Sequence, residues 1–154
     1  MEQQLTFRMA IKADTEGIVA LVAANLKEFG LSYDPDDADQ DLNGMEETYL
    51  TSGGGFWVIE NPSQRIIGTV GLHPIDTRLC KLRKMHVHAE YRGLRLGESL
   101  LQQAIKRARQ LGFQVMRLET IHSMTAAIHL YRKFGFVEQP DFIAASPRCD
   151  TVME

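Results

Sequence analysis

The apolar positions of the chain switch repeatedly between a two-residue rhythm and a helical one, and each switch marks a predicted element. Leu5–Ile11 alternates and predicts a strand. In the following ADTEGIVALVAANLKEFG, Ile18, Val22, Leu26 and Phe29 share one face at helical spacing, with Asp14 as N-cap and Gly30 as stop. The acidic, proline-containing DPDDADQDLNGMEETYL predicts a loop and a short helix ending near Leu50. GGGFWVIEN and RIIGTVGLH are β-rich runs joined by NPSQ, which predicts a hairpin with Trp57 in the core. Leu79–His88 reads as a further strand. From Leu96 to Leu111, Leu100, Leu101, Ala104, Ile105, Ala108 and Leu111 form an apolar stripe, with Lys106, Arg107, Arg109 and Gln110 facing away and Gly112 ending the helix. FQVMRLET predicts a strand and MTAAIHLYRKF a helix ended by Gly135. FVE and CDTVME predict two short final strands around the loop QPDFIAASPR.

This order of elements, with no internal repeat, low-complexity run or linker, predicts an α/β fold with a mixed sheet, in one domain over residues 1–154. A chain of 154 residues buries roughly 70% of its unfolded surface, so it needs neither disulfide nor metal to fold. Its 44% hydrophobic and 24% charged residues are those of a soluble globular protein. The formal net charge of -3 gives no support for nucleic-acid binding. MEQQLTFRMA has no apolar signal core, and no stretch is long enough to span a membrane, so no membrane partner is expected. Cys80 and Cys149 are too few for a disulfide framework; they read as packing residues in a protein of the reducing cytoplasm.

The candidate chemistry begins at YRGLRLGESLL, where Arg92, Gly93, Arg95 and Gly97 precede a helix. Amides at a helix start favour an anion, and two arginines add charge-assisted donors. The same residues also suit a plain turn into a helix with solvated arginines. The spacing is neither a P-loop nor the dinucleotide fingerprint G-x-G-x-x-G.

The wider context resolves that choice. MHVHAEYRGLRLGESLL, followed by a helix, the strand VMRLET and then AAIHLYRKFGF, resembles the GNAT superfamily of acyl-CoA-dependent N-acetyltransferases. Arg92–Gly97 matches the R/Q-x-x-G-x-G/A signature. Ala127, Leu130, Tyr131, Lys133, Gly135 and Phe136 match the A-x-x-L-Y-x-K-x-G-F helix. The resemblance is strongest over Leu79–Glu154. It implies a GNAT-like acyl-CoA N-acyltransferase fold, a predominantly antiparallel sheet flanked by helices and splayed between its fourth and fifth strands. Acetyl-CoA would be the co-substrate, with no metal. Main-chain groups of Met85, His86 and Val87 would hold the pantetheine arm and the acetyl carbonyl. Amides of Arg92, Gly93, Leu94, Arg95, Leu96, Gly97 and Glu98 would cradle the pyrophosphate. Tyr131 would act as general acid toward the departing thiolate, a role within reach of a phenol; burial in the core would account for the same residue. The acceptor would be a small-molecule or peptide amine, attacked directly in a ternary complex. Dimers are common in the family, which leaves a homodimer open.

Three positions depart from the family pattern. Arg95 stands where many members have glycine, and close backbone approach there calls for a negative φ. Met124 replaces a frequent asparagine, and Lys81 stands where some members carry a catalytic glutamate. A catalytically degenerate acyl-CoA-binding sensor or partner-docking domain is therefore the alternative reading. Glu119 and His122 flank the C-terminal end of a strand, where ligand sites gather in open α/β sheets, and are the candidate bases. His86 and His88 alternate on one strand but lack a third metal ligand nearby. The aspartates at 34, 36, 37, 39 and 41 either steer a cationic amine or form a solvated segment.

Overall fold

The computed structural model describes residues 4–154. Its elements in chain order are β1 (Thr6–Met9), α1 (Thr15–Glu28), β2 (Gly55–Glu60), β3 (Ile66–Pro74), β4 (Leu79–Val87), α2 (Leu96–Gln110), β5 (Val115–Thr120), α3 (Thr125–Lys133) and β6 (Thr151–Met153). Two short helical turns, Gln40–Gly44 and Glu46–Leu50, fill the α1–β2 connection. The strands form one sheet in sequence order, antiparallel throughout except for the parallel β4–β5 pair.

Two apolar clusters cover the faces of this sheet. Ile18, Val22 and Leu26 of α1 pack with Leu42, Met45, Tyr49, Phe56 and Val58 on one face. Leu100, Leu101, Ala104 and Ala108 of α2 pack with Ile128 and Tyr131 of α3 against Trp57, Leu82 and Leu118 on the other. β2 is therefore covered on both sides and reads as a continuous apolar run.

Three expectations need correction. Phe29 is 39% exposed rather than part of the α1 core face, because α1 ends at Glu28 and the chain turns at Gly30, with φ +74. FVE forms only an isolated bridge, Glu138 to Met153, although Val137 and Gln139 still exchange backbone bonds with Glu154 and Val152. The segment leaves the sheet at Pro140, which cannot donate to a ladder. Asp14 stands at the N-cap of α1, but its carboxylate is taken by Arg8 and by the Ile11 amide and makes no cap bond.

The departure from a regular sheet that matters most lies between β4 and β5. Only Leu79–Lys81 pair with Val115–Arg117, yet β4 runs on to Val87 and β5 to Thr120. Beyond that short register the strands part and leave a wedge. A bulge in β4 accompanies the divergence. Gly71 pairs Arg83 and Thr69 pairs His86, so Lys84 and Met85 together oppose Val70. Bulges bend the strand that carries them and increase its twist. Lys84 adopts φ +53, a left-handed conformation costing an L-residue about 1–2 kcal/mol. Its carbonyl accepts a 2.7 Å hydrogen bond from the Thr69 hydroxyl, which anchors the bulge to β3.

Candidate active site

A cavity of ≈ 290 Å³ opens in the wedge. Leu82 and Met85 of β4, Leu118 of β5, and Met124 and Tyr131 at and within α3 line its apolar side. Lys81, Arg83, Lys84 and His86 of β4 and Glu119 of β5 line its polar side, joined by Asp37, Ala38, Ser146, Arg148 and Cys149 from two long connections. The division follows from strand alternation.

Tyr131 enters from α3 with its ring edge-on to Phe136, 5.8 Å between centroids. Only 7% of the residue is exposed, and its hydroxyl makes no hydrogen bond to the described residues. Removal from water pushes its pKa well up, so the phenol remains a proton donor throughout the physiological range.

Glu119 also borders the cavity, but both of its oxygens are engaged. Lys81 Nζ lies 3.0 Å from Oε2, and the Ser146 amide donates to Oε1 at 3.0 Å. Burial works to raise this carboxyl; the Ser146 amide and Lys81 outweigh it and hold the group below the usual glutamate value. His122 is placed elsewhere: its side chain is 81% exposed, pairs with Asp150 at 2.7 Å and does not line the cavity.

The three β4 residues expected to face coenzyme A lie at the far end of the bulge. Met85 and His86 line the cavity; Val87 lies just beyond it. Burial, with Lys84 adding to it, lowers the His86 pKa to about 4, so the ring is neutral near pH 7. Asn25 of α1 donates to the Val87 carbonyl at 3.1 Å and approaches His86 Nδ1 at 3.4 Å, tying α1 to the end of β4. His88 follows the strand and meets Arg65 at 3.0 Å, so the two histidines serve different neighbours. Among the described residues no group of three His, Cys, Asp or Glu side chains is disposed to hold a metal.

The start of α2 packs directly against this end of β4. A Cβ placed on Gly97 would lie 3.5 Å from Leu130 Cδ2 and 4.0 Å from Met85 Cε and Val87 Cγ2. The first backbone bond into the helix runs from Ser99 N to Arg95 O, 3.2 Å, which leaves the amides of Leu96, Gly97 and Glu98 without an intrahelical carbonyl. Gly93 has φ +88 and Arg95 has φ +60 with ψ +26. The expected negative φ at Arg95 is thus wrong: the residue takes a left-handed geometry that glycine adopts with least strain. That conformation turns successive amides toward one side, an arrangement that binds anions. Arg92 departs too. Its guanidinium grips Glu28 of α1 at 2.7 and 2.8 Å and donates to the Val87 carbonyl at 3.2 Å, so it braces the loop against α1.

The largest feature missed by sequence reasoning is a buried ion network beneath the polar wall. Lys84, with a 6% exposed side chain, lies 2.9 Å from Asp39 Oδ1 and 3.1 Å from Asp41 Oδ1. Arg148 forks onto both Asp39 oxygens at 2.7 and 2.8 Å. The buried Tyr49 hydroxyl donates to Asp41. Burial opposes ionisation of Asp39, but Arg148, the Asp34 amide and Lys84 together hold its pKa far below the usual range. Two of the aspartates read as a solvated or steering segment are in fact structural counter-ions. No local motif announced them, since the cations that pair with them, Lys84 and Arg148, lie 43 to 109 residues away in the chain.

Residues 18–136 match the acetyltransferase (GNAT) family. The chain is 30% identical over 124 residues, 80% of its length and 76% of the relative's, to an uncharacterised N-acetyltransferase of Schizosaccharomyces pombe. In three dimensions it is similar to an acetyltransferase of the GNAT family from Staphylococcus aureus, with a TM-score of 0.88, 28% identity and 97% of each chain covered. It also shares the fold of YncA, a putative acetyltransferase of Salmonella typhimurium solved with acetyl-CoA, with a TM-score of 0.74 and 22% identity over 97% of this chain and 91% of that one. A split sheet, a helix start with free amides and a family match across most of the sequence lead to one conclusion: the chain belongs to the GNAT family and is an N-acetyltransferase.

Proposed function

We propose that the protein transfers the acetyl group of acetyl-CoA to a primary amine, with both substrates bound together and the neutral amine attacking the thioester directly. The observation that carries this reading is the Tyr131 hydroxyl, unpaired among the described residues and bordering the wedge between β4 and β5. The acetyl-CoA in the Salmonella neighbour supports the choice of co-substrate.

The residues present fit that co-substrate. Free amides from Leu96 to Glu98, on a chain turned by Gly93 and Arg95, suit a pyrophosphate at the positive end of α2. Main-chain groups of Met85, His86 and Val87 would receive the pantetheine arm and take developing charge from the acyl oxygen. Tyr131 gives its proton to sulfur as the carbon–sulfur bond breaks, and recovers one through water. Glu119 is the better placed of the two candidate bases, since it borders the cavity and His122 does not. Its lowered pKa makes it a weak base, so its part is to orient the water that carries the amine proton out to solvent. Holding amine and thioester together supplies most of the rate gain, and neither cysteine takes part.

The test has two arms. Acetyl-CoA at about 100 times its dissociation constant should stabilise the protein by about 2.7 kcal/mol, read as a rise in melting temperature. A panel of amines should then release coenzyme A thiol at equal stoichiometry with acetylated amine. A thermal shift without thiol release by any amine would leave only a binding module; no shift at millimolar acetyl-CoA would defeat both readings.

A further inference from the structure

We infer that the acceptor amine carries a carboxylate, which Arg83 receives at the polar wall of the cavity. This rests on the acetyltransferase reading above and narrows its acceptor.

The bulge sets up the wall. Arg83 and Lys84 are adjacent in sequence, yet both reach the same Ala38 carbonyl at 3.4 Å, so the bulge brings both onto the α1 side of the sheet. In direct ion pairs, Arg83, Lys84 and Arg148 meet only Asp39 and Asp41 among the described residues, and Asp34 acts on Arg148 from farther off. Lys81 and Glu119 cancel one another, and His86 is neutral. Asp37 borders the cavity as an exposed side chain, where water screens it.

Within this set the uncommitted cation can be identified. Lys84 and Arg148 each hold carboxylate oxygens at 3.1 Å or less. Arg83 comes no nearer than 3.6 Å to Asp41, and its one hydrogen bond among the described residues is to the Ala38 carbonyl. Tyr49 donates to Asp41 Oδ2, and Oδ1 lies nearer to Lys84, at 3.1 Å, than to Arg83. Arg83 therefore borders the cavity with most of its planar donor fork free, at 31% side-chain exposure. That fork matches the two oxygens of a carboxylate.

A second group on the polar side makes its own demand. Ser146 lines the same cavity beside Cys149, and its buried Oγ makes no hydrogen bond of good geometry among the described residues. A buried hydroxyl left unpaired costs about 1–3 kcal/mol. A carboxylate oxygen entering the cavity supplies an acceptor, and the hydrocarbon of a plain alkylamine does not. The free Arg83 fork and the Ser146 hydroxyl are both met by that one group.

The experiment compares amines matched except for one carboxylate: several amino acids, each against its carboxamide and its decarboxylated amine, assayed by thiol release. The acid member of at least one pair should exceed its neutral partners in kcat/KM by about tenfold or more, the scale of a charged hydrogen-bonded contact. In Arg83→Gln that ratio should fall toward one, while Arg83→Lys should keep part of it. The acetyl-CoA-induced rise in melting temperature reports that each variant is folded and binds the co-substrate. Neutral amines acetylated as well as, or better than, every acid partner would overturn the inference and leave the acetyltransferase reading intact. A ratio unchanged in Arg83→Gln would overturn the assignment to Arg83. If Arg83→Gln does not fold, the wild-type ratio and Arg83→Lys decide. Acetyl-CoA binding with no amine acetylated would sink both readings.

Discussion

The start of α2 and the ion network both abut the bulged end of β4 but are built in opposite ways. At α2 the chain offers its own backbone: three amides without helical carbonyls, aimed by two left-handed residues within six positions of sequence. Beneath β4 it offers side chains gathered from far apart, with Asp39 and Asp41 from the α1–β2 connection, Lys84 from the bulge and Arg148 from the last loop. The first arrangement suits a ligand part that never changes, such as a pyrophosphate. The second depends on individual side chains, so single substitutions reach it directly.

That contrast can be broken at either end. The largest effect is expected at Asp39. Asp39→Ala leaves Lys84 and Arg148 without their shared counter-ion, and removing one partner of a buried pair costs about 3–5 kcal/mol. Chemical denaturation should show that loss. The same network gives a pH signature. The Asp39 pKa is depressed on folding, so its stabilisation is complete above the ordinary aspartate value of 3.8 and is lost as pH falls below it. Wild type should therefore weaken below about pH 4 through this group, and Asp39→Ala should lack that part of the decline. Equal stability of the variant and wild type at pH 7 would mean that the network is not a unit.

Next in size is Gly97→Val. The space around Gly97 admits a Cβ at ordinary contact distance from its neighbours, so the fold should not suffer. Valine is also a better helix former than glycine. The side chain would instead crowd the approach to the free amides, weakening acetyl-CoA binding by about 1–2 kcal/mol, roughly tenfold. Calorimetric titration measures it; unchanged affinity would show that Gly97 serves only the turn.

The smallest effect sharpens the comparison. Arg95→Gly keeps the left-handed turn and removes its strain, so stability should rise by about 1 kcal/mol with acetyl-CoA affinity little changed. A tenfold loss of affinity would show that the Arg95 side chain, rather than its backbone, holds the phosphates.

The two regions also differ in how far the sequence announces them. Gly93, Gly97 and the α2 stripe are local signals, and so is the Ala127–Phe136 helix that brings Tyr131 to the wedge; all are legible from short spacings. The strand order and the parting of β4 from β5 follow from the family resemblance that those spacings support. The left-handed φ at Arg95 was not legible, because arginine seldom takes that conformation and nothing nearby signals it. The bulge at Lys84 leaves no mark either: RKMHV alternates no differently from a regular strand. Without the bulge, the pairing of Lys84 with aspartates 43 and 45 residues upstream has no warning in the chain. Charges read along a segment look solvated until the fold supplies partners, which is how Asp39 and Asp41 passed for surface residues. His122 shows the converse, since a strand-end position put it on the candidate list and the Asp150 pairing took it away from the cavity.

The central claim is that Tyr131 protonates the departing thiolate, and the most direct measurement is single-turnover acetyl transfer by Tyr131→Phe. The substitution keeps the ring, its burial and its edge contact with Phe136, and removes only the hydroxyl. Acetyl-CoA affinity and melting temperature should stay close to wild type. The single-turnover rate should fall by ~10²-fold or more, the scale of losing a general acid, and measuring the first turnover keeps slow product release from hiding the loss. A folded, acetyl-CoA-binding Tyr131→Phe that transfers acetyl at the wild-type single-turnover rate would contradict the account, leaving Tyr131 a core residue and the thiolate to be protonated by water.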